Sequence, residues 1–353
     1  AQGGGSDTRP GSCVYSALCG TRRPAFTLPM DSTYRVHTWL RRVILALIIL
    51  VPSSTVLFLL ATAAWITYSS ECDLRVLTTE IKAWGSASRY NHEVTLDHSE
   101  NGLDLWNTPD GAIWTVHGDK VLPFLLEEQF VDVYEPAGHE IRPGDVVLDC
   151  GANIGMFTRK ALQRGAKQVI AVAPSPPTLD ALRKNLAAEI ASGRVVIIPK
   201  GVWKEDGELE LSINPANEGT NSLVIENAGA TRKVKVPLTT IDHLVAELKI
   251  SRIDFVKMDI EGSELKAIQG MKTTIEKSKN LIIFTEFDEE SLIDAESDPQ
   301  NFLSLIIESF LVYYVDDEKS QLYELDPTMF FNDKKFKQKT NNLLCVKNST
   351  KIF

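Results

Sequence analysis

The chain has 353 residues, enough for one or two domains, and carries 37 Lys and Arg against 47 Asp and Glu, a net charge of −10. With 44% hydrophobic and 24% charged residues its composition is that of a globular protein and excludes a disordered or collagen-like chain. The acidic balance without a basic stripe argues against nucleic acid as a partner, and five irregularly placed cysteines (Cys13, Cys19, Cys72, Cys150, Cys345) make neither a disulfide framework nor a zinc pattern.

Residues 1–42 read as an N-terminal tail expected to be disordered; Met30 opens a signal-anchor layout, and residues 1–29 are expected to be disordered or translated upstream sequence. No charged residue lies between Arg42 and Glu71. The apolar run 43–68 would be roughly 39 Å long as a helix, more than the ~30 Å hydrocarbon core, so a single transmembrane helix is expected there. Trp65 and Tyr68 suit the far headgroup zone. Arg35, Arg41 and Arg42 before the run, and Glu71 and Asp73 after it, place the N-terminus in the cytoplasm and the remainder outside. Ala61-Thr62-Ala63 leaves a cleavable signal peptide open as the alternative.

Residues 69–136 read as a linker and a small mixed α/β cap region. Strands are expected at 94–96, 103–105 and 112–116, with a turn at Pro109-Asp110-Gly111 and a helix over 121–134. From 137 to 353 the pattern is that of one domain. Short β-rich runs at 146–148, 169–172, 195–198, 253–258 and 281–284 alternate with helical spacing at 155–164, 177–190, 240–248, 263–271 and 301–310. That alternation argues for a mostly parallel sheet covered by helices on both faces. Segments 208–213 and 233–238 read as hairpin strands, and 311–315 with 342–346 as a closing antiparallel pair.

The strongest chemical signal is Asp149-Cys150-Gly151-Ala152-Asn153-Ile154-Gly155, between a buried strand and a helix. Its glycines permit a sharp turn and a close approach to a ligand, and the helix start offers free N–H groups. The pattern is D-x-G-x-N-x-G, not the dinucleotide G-x-G-x-x-G, which disfavours a nicotinamide oxidoreductase, and it lacks the Lys-Ser/Thr ending of a P-loop. A second motif, Lys257-Met258-Asp259-Ile260-Glu261-Gly262, ends a later strand. On a strand, residues i, i+2 and i+4 share a face, so Lys257, Asp259 and Glu261 point together, where two carboxylates and an ammonium could orient or deprotonate a hydroxyl. The plainer alternative has Glu261 and Ser263 capping the next helix and Lys257 paired with Glu261. No His, Cys or Asp spacing makes a metal site.

The segments VVLDCGANIGMFTRKAL, TTIDHLV and IDFVKMDIEGSEL resemble the FkbM-type S-adenosylmethionine-dependent methyltransferases, the likeness running from about Leu125 to Cys345. The resemblance implies a class I methyltransferase fold: a Rossmann-like seven-stranded sheet with a reversed last hairpin, here preceded by the transmembrane helix. It implies S-adenosylmethionine as cofactor and O-methylation of a sugar, glycan or secondary metabolite. It places Asp149, Gly151, Ala152, Asn153 and Gly155 at the amino-acid end of the cofactor, and Ala173 and Ser175 at its ribose. Asp259, Glu261 and Lys257 are then the catalytic candidates.

Glu286 and Asp288 are further candidates of the same kind. Glu128 and Tyr134 lie where the family's pre-domain helix approaches the cofactor, and His243 reads as a surface residue in a helix capped by Thr240. One departure stands out. The family pattern reads E-P-x-P after the second strand, and this chain has Ala173-Pro174-Ser175-Pro176. Losing a hydrogen bond to a charged group costs about 1.5–3 kcal/mol, roughly 10–100-fold in affinity, unless Ser175 compensates or another group covers the ribose. Ala173 and the outward orientation together leave a second reading: a non-catalytic, membrane-anchored binding or scaffold domain. Acceptor contacts are expected from residues 90–135 and 214–230.

Overall fold

The computed structural model describes residues 94–130, 133–136, 138–225, 231–316, 321–326 and 341–347. The expected tail (1–42), the apolar run 43–68 and the first part of the expected linker lie outside the described residues. Among the described residues no helix is long and apolar enough to cross a membrane.

Among the described residues three short strands come first: β1 (Thr95–Glu100), β2 (Leu103–Thr108) and β3 (Gly111–Val116), an antiparallel meander. Asn101 and Gly102 both have positive φ at the first turn, the conformation that two-residue hairpin loops favour. β1 is exposed throughout. The inner face of the meander buries Leu103, Ile113 and Val116 against Leu122 and Leu126 of helix α1 (Leu122–Phe130), together with Ile154, Met156 and Ala181.

The domain proper then alternates strand and helix: β4 (Val146–Cys150), α2 (Met156–Gln163), β5 (Gln168–Val172), α3 (Pro176–Asn185), α4 (Ala187–Ala191) and β6 (Val195–Ile198). A small outlying sheet follows, with β7 (Gly201–Val202) and β8 (Gly207–Ile213) either side of β9 (Arg232–Thr239). Helix α5 (Ile241–Glu247) leads to β10 (Phe255–Met258), α6 (Glu264–Gln269), α7 (Lys272–Lys277), β11 (Ile282–Phe287), α8 (Glu289–Asp294), α9 (Pro299–Ile307), β12 (Phe310–Asp316), β13 (Gln321–Glu324) and β14 (Asn341–Lys347).

The main sheet runs β13-β12-β14-β11-β10-β4-β5-β6. β11, β10, β4, β5 and β6 are parallel, and β14 lies antiparallel between β11 and β12. This is a class I Rossmann-like α/β fold with its reversed closing strand, plus β13 as an added edge. The expected closing pair is present, with Leu311 opposite Val346 and Val312 opposite Cys345.

Alternation along the strands divides the core. Val147, Val169 and Ala171 pack with Phe157, Ala161, Leu179 and Leu182 on one face. Leu148, Ile170, Val256 and Met258 pack with Leu244, Leu265, Ile268, Phe302 and Leu303 on the other. Strand order reverses between β4 and β10, so a crevice opens beyond their carboxyl ends, where open α/β sheets bind ligands.

Several sequence expectations needed correction. The helix expected over 177–190 breaks at Leu186 into α3 and α4, and the one over 263–271 ends at Gln269, with a second, α7, beginning at Lys272. The helix expected over 301–310 starts earlier, because Asp298 caps it by accepting from the Gln300 N–H and Pro299 suits the first helical position. It ends at Ile307, and Phe310 already belongs to β12.

Candidate active site

The glycine-containing turn after β4 sits at the strand-order reversal. Gly151, Asn153 and Gly155 all adopt left-handed backbone, with φ of 85°, 48° and 91°. At Gly151 a side chain is excluded twice over: a Cβ would lie 1.9 Å from the Asp259 carbonyl oxygen. At Gly155 a Cβ would meet Leu182 at 2.5 Å, so the glycine lets α2 close onto α3. The Gly151 and Ala152 amides both donate to the Val172 carbonyl at 3.0 Å, tying the turn to β5. From the other side, Asn185 accepts from the Trp114 amide and donates to the Ile154 carbonyl, fixing the turn to the meander.

Asp149 is fully buried beneath this turn. Its Oδ2 accepts from the Thr158 hydroxyl at 2.6 Å, while Oδ1 has no hydrogen-bond partner. Burial pushes the carboxyl up, opposed by Lys257 and by the Thr158 bond. Asn153 Oδ1 is also buried without a partner. Buried polar atoms are ordinarily bonded, so two orphaned acceptors on one turn fit a ligand with N–H or ammonium donors.

β10 brings the second motif alongside, because the parallel register sets Lys257 opposite Asp149. The Lys257 ammonium is buried, donates to the Gly151 carbonyl at 3.2 Å and pairs with Asp259 at 3.1 Å. It also lies 5.4 Å from the centre of the Tyr134 ring. Burial alone would lower this amine, but Asp259, Asp149 and Glu128 outweigh it and hold it above its ordinary value. Lys257 is therefore a fixed cation and not a proton acceptor. Tyr134 packs edge-on against Phe157 and Phe284, and burial, with Glu128 and Asp259 nearby, pushes its phenol well up.

The expected strand alternation through Glu261 fails. β10 ends at Met258, and Glu261 and Gly262 turn left-handed with φ of 53° and 93°. The turn is forced by close approach, since a Cβ on Gly262 would be 3.0 Å from the Ser291 carbonyl. Glu261 still faces the same group of charges. Burial, then Asp259 and Glu264, push its carboxyl well above the usual range, and Glu286 is raised by burial with Asp259 and Glu261. The plainer alternative also fails in detail: Lys257 pairs with Asp259, and Ser263 at the helix start has a buried hydroxyl without a partner. Asp288 instead caps α8 by accepting from the Ser291 amide at 2.7 Å. His243 is exposed and bonded to Asp206, and Thr240 caps its helix.

Glu264, fully buried, accepts from the Ile260 amide, and burial raises its carboxyl to about 7. The native group keeps its proton to about pH 7, whereas an unfolded one loses it near 4.5. The folded state thus binds more protons in that window and loses stability as pH rises through it, by about 3 kcal/mol at pH 8. Glu264→Gln, which keeps the acceptor oxygen, is expected to raise the melting temperature at pH 8 and leave it nearly unchanged at pH 4.5. Equal shifts at the two pH values would refute a buried titrating carboxyl.

Ala173 is buried at the end of β5, and Ser175 beyond it precedes α3 without capping it through its side chain. The sequence reading missed what meets them. The Ser175 hydroxyl donates to Glu218 Oε2 at 3.1 Å, and Asn221 donates to the same oxygen at 2.6 Å. Glu218 begins a one-turn 3-10 helix, Glu218–Thr220, between β8 and β9, and its amide donates to Asp119 Oδ1 at 3.3 Å. The only local signal was the turn-forming run Asn217-Glu218-Gly219-Thr220-Asn221, which marks a loop but not its neighbours.

Residues 149–313 match the family model described as the methyltransferase FkbM domain. The chain is 31% identical over 198 residues to the 31-O-demethyl-FK506 methyltransferase FkbM of Streptomyces tacrolimicus, covering 48% of this chain and 76% of that protein. It is 28% identical over 181 residues to the hexuronic acid methyltransferase AglP of Haloferax volcanii (51% and 69% covered). Its identity to the 2-O-methyltransferase NoeI of Sinorhizobium fredii is 24% over 182 residues (47% and 72% covered).

Proposed function

The chain belongs to the FkbM methyltransferase family, and from that membership we propose that it methylates a hydroxyl oxygen of a small molecule or glycan. It is an S-adenosylmethionine-dependent methyltransferase. The observation that carries the cofactor site is the turn after β4, with its two crowded glycines and the orphaned acceptors of Asp149 and Asn153. S-adenosylmethionine supplies a methyl group already activated on a sulfonium, so the chain's task is mainly alignment. In this reading Gly151, Ala152, Asn153 and Gly155 hold the amino-acid end, and Lys257 locks the turn through the Gly151 carbonyl.

Choice of oxygen is supported by the names of two relatives, a 31-O and a 2-O enzyme, and a sugar acceptor by the hexuronic acid enzyme. Asp259, one-third exposed, orients the acceptor hydroxyl, and Glu261 takes its proton. A base whose carboxyl is held up by burial works only once ionised, so kcat is expected to climb with pH across the raised Glu261 titration. Glu261→Gln should lower kcat by roughly 100-fold, flatten that limb and leave cofactor affinity unchanged. An unaltered pH profile would remove Glu261 from the chemistry. The reading as a whole is tested by titrating the full chain with S-adenosylhomocysteine and following labelled methyl onto hydroxylated acceptors. Label found only on nitrogen or carbon would refute O-methylation.

A single membrane span over residues 43–68, N-terminus cytoplasmic, completes the proposal, supported by the uncharged run between Arg42 and Glu71 and its flanking charges. A C-terminal reporter active only in the cytoplasm would reverse that orientation.

A further inference from the structure

We propose that Glu218 is the carboxylate that receives the ribose hydroxyls of the cofactor, supplied from the segment between β8 and β9 in place of the side chain that Ala173 lacks. This rests on the cofactor assignment above and adds to it a residue outside both motifs.

Nucleotide-binding parallel sheets hold ribose with an acid at the end of the second strand, about 20 residues past the glycine turn. Ala173 occupies that place and offers no acceptor side chain. Two residues on, the buried Ser175 hydroxyl is bonded to Glu218, so a carboxylate does stand at the end of β5, although 43 residues away in sequence.

The same turn runs close to the glycine segment: a Cβ built on Gly219, the residue after Glu218, would lie 3.9 Å from Asn153 Nδ2.

The turn is built to stay there. Asn217 Oδ1 accepts from the Gly219 amide, Asn221 Oδ1 from the Asn214 amide, and Asp119 Oδ1 from the Glu218 amide. Glu218 itself is only 4% exposed, yet its bonded partners are the neutral Ser175 and Asn221, both on Oε2. A buried carboxylate bonded to two neutral donors through one oxygen has capacity for more, and ribose offers two hydroxyl donors.

A second atom points the same way. Asp119, 7% exposed and holding the Glu218 amide through Oδ1, leaves Oδ2 buried without a partner. Two neighbouring buried acids with spare acceptor capacity are costly to keep in a fold that has no polar ligand for them.

The test compares S-adenosylhomocysteine with its 2′,3′-dideoxy analogue by calorimetry on the full chain. Glu218→Gln is expected to weaken S-adenosylhomocysteine roughly 10–100-fold, while wild type and variant bind the dideoxy analogue within about twofold of each other. Ala173→Glu added to Glu218→Gln should recover most of the lost affinity. Undiminished binding of S-adenosylhomocysteine by Glu218→Gln overturns the proposal. So does an equal loss for both ligands, the mark of a merely structural role. Wild-type chain that binds neither ligand overturns the cofactor assignment itself, and this proposal with it.

Discussion

Replacing Gly151 by Ala is expected to cost more than about 4 kcal/mol, or to prevent folding, in a urea melt of the full chain. Two penalties coincide. The φ of 85° strains any L side chain, by about 1–3 kcal/mol. The added methyl would also stand 1.9 Å from the Asp259 carbonyl oxygen and 3.0 Å from its carbon. Those are backbone atoms in the continuation of β10, whose ladder sets Met258 opposite Cys150 and whose Asp259 amide donates to the Cys150 carbonyl. Relief would mean prising β10 from β4 at the centre of the sheet. Gly144→Ala is the control: its φ of 95° is equally adverse, but nothing lies within 4 Å of its Cβ position. If both variants lose the same stability, conformational strain alone explains Gly151 and the close approach contributes nothing.

Lys257→Met is expected to cost about 3–5 kcal/mol at pH 7, the usual result of removing one partner from a buried ionic group. The ammonium counters Asp149, pairs with Asp259 and donates to the Gly151 carbonyl, so three acceptors lose their cation together. Most of the penalty falls on Asp149, which is fully buried and is left with Thr158 as its hydrogen-bond partner. The loss should shrink as pH falls and Asp149 takes up a proton, because a neutral acid needs no counter-ion. Asp149→Asn in the Lys257→Met background should recover part of the stability, giving a coupling of roughly 1 kcal/mol or more in a double-mutant cycle. Strict additivity would show that the two residues act independently.

The parallel sheet was legible because its central strands are buried on both faces: 146–148 and 169–172 are short apolar runs that local pattern separates cleanly from the amphipathic helices between them. The glycine turn was legible for a related reason, since positive φ and crowding leave glycine as the only residue that fits. Edges and breaks were not. Nothing around Leu186 distinguishes one long helix from α3 and α4, and β13 is a four-residue edge strand whose pairing with β12 depends on the tertiary fold. The site divides in the same way. Lys257 and Asp259 announce themselves within one motif, whereas Glu218 meets Ser175 only after a chain reversal through an outlying sheet, and no spacing rule reaches 43 residues. Glu261 fell between: it does meet Asp259 and Glu264, but the face it was assigned assumed a strand that stops at Met258.

Strand β14 fills an interior slot, bonded on one side to β11 and on the other to β12, although among the described residues it is the last of the sheet strands in sequence. During synthesis every other member of that sheet leaves the ribosome before it. Until residues 341–347 emerge, the nascent protein must hold two open β edges facing a vacant lane, the kind of surface that invites pairing with a neighbouring chain. Completion of this sheet therefore waits on residues 341–347, and a chain that stops short of Asn341 would lack the strand that joins β12 to β11.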